Sequence, residues 1–262
     1  LEMEEPSVAV SPPSPGRLGR PLALVAFAAA GAILALGVTW LVWGRATRTL
    51  APVVRFSVPL PPGDTVRKLG TASGVALSPD GTRLVYARSG NKPLMLRRID
   101  ELEAKPIPGT ENSGLPIFSP DSQSILFWHA NVLKRLSLSG GAPVSLGVPG
   151  EAGTSWGPDN TVLYVADSQH GIYRVSANGG TPEVVTKVDR VKGERTHRFP
   201  HWLPGGKAFL FTVSHSESET FDDAGIVVQS LSTGQRKVVV EGGTNARYSP
   251  TGHLVYARGG TL

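Results

Sequence analysis

A short serine motif is the first feature of this sequence that could carry chemistry. Residues 153–157 read G-T-S-W-G, which matches the G-x-S-x-G nucleophile elbow of serine hydrolases. That elbow works because a strand turns sharply into a helix and so exposes the serine hydroxyl. Here a Pro-Asp-Asn turn and a second β-rich run follow, so the helical half of the motif is missing. We therefore interpret Ser155 as a strand residue of the core.

Two other patterns resemble metal sites. His197 and His201 are four residues apart, a spacing that suits two zinc ligands on a helix. Pro200 and the repeat described below place them on a strand, where residues four apart are separated by ~13 Å. We interpret them as rim or channel histidines. Asp222 and Asp223 lack the D-x-D-x-D-G spacing of a calcium loop and are typical of a solvated loop. The sequence therefore predicts no metal site and no cofactor.

Five copies of one β-rich unit position these residues. Each copy contains a turn related to S-P-D-G, in which proline presets φ and glycine can adopt a positive φ. The residues before the proline are spaced by 41, 38, 46 and 46 positions, which is the period of a propeller blade. They are Ser78, Ser119, Gly157, Leu203 and Ser249.

Each turn is followed by an apolar run and then by two further β-rich segments. Uninterrupted apolar runs such as ILFW at 125–128 are typical of strands that are buried on both faces. Four strands per copy predict an all-β fold, a β-propeller of four-stranded blades over residues 53–262. The fifth copy stops after its second strand, so we expect an incomplete ring in this chain. Residues 53–60 are a candidate outer strand for the final blade.

A single membrane span is predicted before the propeller. Residues 21–43, Pro21 to Trp43, form 23 consecutive positions without a charge, enough to cross a ~30 Å hydrocarbon layer as a helix. Residues 1–20 are acidic and then Ser/Pro-rich, which predicts a disordered linker, and 44–52 form a second linker. Arginines flank the span on both sides, so they do not decide its orientation. Either Met3 is the start or more protein precedes Leu1.

Composition excludes several function classes. The chain has no cysteine, which excludes a disulfide scaffold and a cysteine zinc site. Its net charge is +5, from 26 basic and 21 acidic residues that are interspersed along the chain. We find no basic run with interleaved aromatics, so we predict no nucleic-acid partner.

Two enlarged loops of the fourth copy form our candidate recognition surface. They cover residues 187–198 and 214–223 and should emerge on the same face, where loops on a rigid scaffold commonly bind partners. The alternative is a pair of solvated loops whose charges merely neutralise each other. The seven residues of this recognition rim are Arg195, His197, Arg198, Glu217, Glu219, Asp222 and Asp223.

The repeats S-P-D-G-x-x-hydrophobic resemble the PD40 or TolB-like propeller family. The fourth copy, G-E-R-T-H-R-F-P-H-W-L-P-G-G-K-A-F-L-F at 193–211, together with a Ser/Pro linker and one span ahead of residues 55–64, is similar to the extracytoplasmic propeller of bacterial eukaryote-like Ser/Thr receptor kinases. This resemblance implies a kinase upstream of Leu1 and a propeller outside the cell membrane that senses an unknown ligand or protein. This chain itself has no kinase motif, so we expect no catalysis in it. Two alternatives are the gating propeller of a membrane-anchored prolyl-oligopeptidase-like peptidase and a TolB-like envelope scaffold.

Overall fold

The computed structural model describes residues 31, 57, 59–60, 63–69, 72–150, 153–167, 169–215 and 221–262. The predicted linker 1–20, the span Pro21 to Trp43 and the linker 44–52 lie outside these residues, except for residue 31. In the part that the structure describes, no helix has the length and hydropathy needed to cross a membrane. The described strands all belong to one compact unit, Pro59–Leu262.

Five antiparallel sheets follow one another along the chain after a small hairpin. The hairpin pairs β1 (Lys68–Leu69) with β2 (Ala72–Ser73). Sheet 1 contains β3 (Val75–Leu77), β4 (Arg83–Tyr86), β5 (Met95–Arg98) and β6 (Lys105–Pro106). Sheet 2 contains β7 (Ser113–Phe118), β8 (Ser124–His129), β9 (Val132–Ser137) and β10 (Val144–Pro149). Sheet 3 contains β11 (Thr154–Trp156), β12 (Thr161–Val165), β13 (Ile172–Ser176) and β14 (Glu183–Val184).

Sheet 4 contains β15 (Thr196–Trp202), β16 (Ala208–Ser214), β17 (Gly225–Ser230) and β18 (Arg236–Glu241), and sheet 5 contains β19 (Thr244–Tyr248) and β20 (Leu254–Ala257). Within the described residues, helical structure is limited to residue 31 and the 3₁₀ turn Arg190–Lys192. The predicted all-β fold of four-stranded sheets is therefore confirmed.

The repeated turns adopt the conformation that their residues favour. In the first copy the Gly81 N–H donates to the Ser78 carbonyl at 2.8 Å, and Gly81 has a φ of +72°. The Ser78 hydroxyl and the backbone and hydroxyl of Thr82 donate to the Asp80 carboxylate, which lowers the pKa of Asp80 to about 2. A positive φ recurs at the equivalent position of every copy: Gly81, Ser122, Asn160, Gly206 and Gly252.

The second strands of sheets 2, 3 and 4 pack on both of their faces. In β8, Ile125 and Phe127 pack against sheet 1, whereas Leu126 and Trp128 pack against sheet 3. The same alternation continues in β12, where Tyr164 packs towards sheet 2 and Leu163 towards sheet 4. Full burial of such side chains contributes about 1.5–3 kcal/mol each. The core is thus a series of layers between neighbouring sheets, as the uninterrupted apolar runs predicted.

The first strands of the sheets lie together. Strand β3 contacts β7, β7 contacts β11, β11 contacts β15, and β15 contacts β19. Because each sheet begins at this shared line and packs on its neighbour, the sheets radiate outwards in chain order. This arrangement leaves a channel along the first strands.

Candidate functional site: the channel lined by the first strands

The serine of the G-x-S-x-G motif holds two sheets together. Ser155 lies in the middle of β11 and is 8% exposed, and β12 follows after a turn. Its hydroxyl accepts a hydrogen bond from the backbone N–H of Trp202 in sheet 4, at 3.1 Å. The sequence around Ser155 is therefore strand, turn and strand, which does not expose the serine as a nucleophile elbow does.

A backbone irregularity recurs in the first strands. Leu115, Gly153, Phe199 and Asn245 occupy the same position of the repeat, four residues before the turn marker, and have φ values of +50°, +86°, +51° and +53°. The register of the first strand against the second shifts at this position in sheets 2, 4 and 5, which marks a β-bulge. A positive φ strains leucine and phenylalanine, at a cost on the order of 1–3 kcal/mol each. Strained backbone and bulges of this kind concentrate at functional sites.

The bulged strands line a cavity of about 450 Å³, within the usual range for ligand pockets. One wall is apolar and comes from sheets 1 to 3. Val75 and Leu77 are 39% and 54% exposed there, and Ile117 and Trp156 are half-buried. The Trp156 indole N–H donates to the Asn160 side chain at 3.0 Å, so the indole presents its apolar surface without an unpaired donor.

The opposite wall is polar and comes from sheets 4 and 5. The Arg247 guanidinium lies 3.2 Å from His201 Nδ1 and 3.5 Å from the Pro200 carbonyl. Arginine can only donate, so Nδ1 of His201 must accept and the proton of a neutral ring is on Nε2. Burial and the nearby positive charge of Arg247 lower the pKa of His201 to about 4, although a hydrogen bond with the backbone of Tyr248 opposes that shift. His201 is therefore neutral at pH 7.

Asn245 completes the polar wall. Its backbone N–H donates to the Thr212 hydroxyl at 3.1 Å, which fixes the bulge of β19 on sheet 4. Its side-chain Oδ1 is buried and has no hydrogen-bond partner among the described residues. An unpaired buried acceptor is costly, about 1–3 kcal/mol, so it is a second mark of a site that is not built for stability alone.

His197 lies inside the protein, between sheets 3 and 4. It is fully buried, its Nε2 lies 2.9 Å from Glu194 Oε2, and its Nδ1 lies 2.8 Å from the Thr186 hydroxyl. Burial lowers the pKa of His197 more than the adjacent Glu194 carboxylate raises it. Burial alone would raise the pKa of Glu194, but the Asp189 N–H, His197 and Arg236 together hold it below its usual value.

The lowered pKa values of His197 and Glu194 determine which atoms of the cluster formed by Thr186, Glu194 and His197 carry protons. An ionised Glu194 can only accept, so Nε2 of a neutral His197 donates to it, and Nδ1 accepts from the Thr186 hydroxyl. Thr186 Oγ1 in turn accepts from the Ile172 N–H at 2.8 Å. His197 thus connects the end of sheet 3 to the loop before sheet 4, and it is not exposed to an external ligand as a recognition rim requires.

The two loops of the predicted rim do meet at the same end of sheet 4, where the first loop enters β15 and the second leaves β16. Thr196, at the start of β15, pairs with Ser214, at the end of β16. The Arg195 N–H also donates to the Ser214 carbonyl at 2.8 Å. Phe221, near the end of the second loop, packs edge-on against Phe199 of the channel at 5.8 Å. This part of the loop therefore lies beside the channel.

The other rim residues differ in their surroundings. Arg195 is exposed, and the half-buried Arg198 donates from Nε to the Thr196 hydroxyl at 3.0 Å. Asp222 accepts from the Gly259 N–H at 2.8 Å, so it fixes the loop to sheet 5, and Asp223 is exposed. Glu217 and Glu219 lie outside the described residues. The pairing of basic with acidic rim residues stays a prediction.

The channel residue Arg247 was missed by the sequence reasoning. A signal for it exists in the repeat, because the position two before the turn marker faces the cavity in each copy. In the first three copies that position is small, apolar or a serine, and in the last two it is a histidine and an arginine. The five residues are Ala76, Ile117, Ser155, His201 and Arg247.

The chemistry of the described side chains suits binding. Across the described ranges, no three His, Asp or Glu side chains come together in a way that could hold a metal ion. His197 and His201 lie on the same strand but have different partners, Glu194 for one and Arg247 for the other. The cavity instead combines one cation, a neutral imidazole and an apolar wall.

Comparison with known proteins identifies the fold. No protein-family model and no curated protein matches the sequence. Solved structures that are similar include TolB from Acinetobacter baumannii, with 20% identity and a TM-score of 0.56 over 71% of this chain and 48% of TolB. A TolB-type protein from Agrobacterium tumefaciens has 17% identity and a TM-score of 0.54 over 70% of this chain and 68% of that chain.

An oligogalacturonate lyase in complex with manganese is also similar, with 17% identity and a TM-score of 0.52 over 70% of this chain and 57% of the lyase. The chain spans about half the length of the Acinetobacter TolB. Identities this low establish the fold alone. The radiating four-stranded sheets and these neighbours together show that the chain has a TolB-like β-propeller fold.

Proposed function

We propose that this chain is a non-catalytic, ligand- or protein-sensing propeller of a single-pass membrane protein. The observation that carries the proposal is the channel, where exposed apolar side chains face an arginine across a cavity of about 450 Å³. Clefts with apolar walls and a few convergent polar groups are the usual form of a binding site. Phe221 packs against the channel residue Phe199, so a molecule bound in the channel would lie close to Phe221.

The membrane anchor and the kinase belong to the proposal. The uncharged run from Pro21 to Trp43 supports a span in the cell membrane, and the resemblance of residues 193–211 supports a receptor-like Ser/Thr kinase. In that arrangement the propeller lies outside the cytoplasm and the kinase inside. The similarity to a lyase is one of fold alone and gives no support to lyase chemistry here.

We also propose that a further strand completes sheet 5. The second strands of sheets 1 to 3 are almost wholly buried, whereas β20 is half-buried and its Val255 is 44% exposed. In sheets 1 to 4 a third strand pairs with the second. A third strand would hydrogen-bond to the edge of β20, and a further sheet packed on sheet 5 would bury the apolar side chains that β20 now exposes.

A topology experiment tests the proposal. Alkaline phosphatase, which folds to its active form outside the cytoplasm, is fused after Leu262 of the full chain and expressed in bacteria. We expect high phosphatase activity and membrane localisation, and deletion of residues 21–43 should abolish both. Activity of a β-galactosidase fused at the same position would place the propeller in the cytoplasm and contradict the sensor role.

A further inference from the structure

The charge of the channel indicates which ligands it can bind. Among the described residues that line the cavity, Arg247 is the only one with a permanent charge, and none is a carboxylate. His201 is neutral at pH 7 because its pKa is about 4. A single uncompensated cation in a partly apolar cavity favours one negative charge on the ligand.

The guanidinium is held in one orientation. One of its terminal nitrogens contacts the Pro200 carbonyl and His201 Nδ1, and these are its hydrogen bonds within the described residues. The remaining N–H groups form the planar donor pair that binds a carboxylate through two parallel hydrogen bonds. His201 acts as a positioning residue, since its neutral ring accepts from Arg247 and would repel it if protonated.

The facing wall requires an apolar body on the ligand. Leu77 and Val75 on β3, the first strand of sheet 1, expose half and more than a third of their surface. Trp156 and Ile117 extend this wall around the cavity. A small, strongly hydrated anion would leave the wall in contact with water, whereas an alkyl or aryl group would cover it.

We propose that the channel binds a small monocarboxylate with an apolar body, and that Arg247 is the residue that recognises its carboxylate. The proposal rests on the proposed sensing role and names the class of ligand that would be sensed. It requires charge and apolar surface in one molecule, so acetate and inorganic phosphate are poor ligands.

Calorimetric titration of the full chain at pH 7 tests this with 4-phenylbutyrate as the probe. Three compounds serve for comparison. 4-Phenylbutyramide lacks the charge and acetate lacks the apolar body. Inorganic phosphate lacks the apolar body and carries a different anionic group. We expect phenylbutyrate to bind, and each comparison compound to bind at least about tenfold more weakly, as expected for loss of a charged hydrogen bond or of the apolar contact.

Two variants locate the site. Arg247→Gln should weaken phenylbutyrate binding by about tenfold or more while leaving the weak binding of the amide unchanged. Leu77→Ser should weaken phenylbutyrate and leave acetate unchanged. Arg174→Gln is the matched control, because Arg174 pairs with Glu183 on the outer strands of sheet 3 and does not line the cavity. The melting temperature of each variant confirms that it is folded.

Three results would overturn the proposal: no phenylbutyrate binding by about 10 mM, equal binding of the amide, or unchanged binding by Arg247→Gln. Tight binding of phosphate with the same loss in that variant would assign the site to phosphate and equally reject the carboxylate. These failures leave the sensing role standing if the phosphatase fusion is active outside the cytoplasm. An inactive fusion rejects the sensing role whatever the titration shows.

Discussion

Replacement of His197 by alanine tests how sheets 3 and 4 are joined. The substitution removes a hydrogen bond to the ionised Glu194, worth about 1.5–3 kcal/mol, and one with the Thr186 hydroxyl, worth about 0.5–1.5 kcal/mol. It also removes the edge contact of the imidazole with Phe211 at 5.0 Å, worth about 0.5–1.5 kcal/mol. We therefore expect His197→Ala to lower the free energy of unfolding by about 2.5–6 kcal/mol.

The contribution of His197 to stability should depend on pH, in the direction that follows from its lowered pKa. The pKa of His197 in the folded protein lies below its ordinary value of 6.5, because burial disfavours the cation. As the pH falls below about 6.5, the unfolded chain therefore takes up a proton before the folded protein does. The contribution of His197 is complete above that pH and is lost as the pH falls towards its folded pKa. The stability difference between the native chain and His197→Gln should shrink accordingly.

Urea unfolding of the full chain, followed by tryptophan fluorescence, measures both effects. His253→Ala is the control, because His253 is exposed on sheet 5 and its loss should change stability by less than about 0.5 kcal/mol. A double-mutant cycle with Glu194→Gln should give a coupling energy of about 1.5–3 kcal/mol. A loss below about 1 kcal/mol in His197→Ala would refute the assignment of this cluster as a link between sheets, and no coupling would refute the hydrogen bond between His197 and Glu194.

Three further substitutions or conditions test other parts of the structure. Asn245→Ala should be less stable than Asn245→Gly by about 1–2 kcal/mol in urea unfolding, because φ is positive there, and equal stability would contradict the bulge. Gly171→Ala should lower the melting temperature, since its new Cβ would lie 1.9 Å from the Thr186 carbonyl oxygen, whereas Gly225→Ala has room and should not. Lowering the pH from 7 to 5 should remove on the order of 1 kcal/mol through His201, whose folded pKa is about 4, and His201→Gln should not lose this amount.

The repeated architecture could be predicted because its causes are local. A Pro-Asp-Gly turn such as that after Ser78 closes the same way in each copy, as its residues favour it independently of the rest of the chain. The apolar run of β8 similarly requires cover on both faces, which only neighbouring sheets provide. Local chemistry and tertiary packing therefore agree over most of the fold.

A channel histidine was predicted, and His201 lines the channel, but the bulged walls of the channel could not be predicted because they run against local preference. Leu115 and Phe199 adopt a positive φ that neither residue favours, so only the packing of the first strands imposes these bulges. The bulge of β15 also interrupts the alternation of side chains between His197 and His201. Proximity to an enlarged loop suggested an exposed His197, whereas the actual partner, Glu194, comes from that loop and meets it in the interior.

A crystal structure of the full chain with 4-phenylbutyrate would test the central claim most directly. We predict five sheets whose first strands surround one channel, with the ligand carboxylate within hydrogen-bonding distance of the Arg247 guanidinium and its ring against Leu77 and Trp156. First strands that do not share a channel, or a ligand bound away from Arg247, would contradict the account.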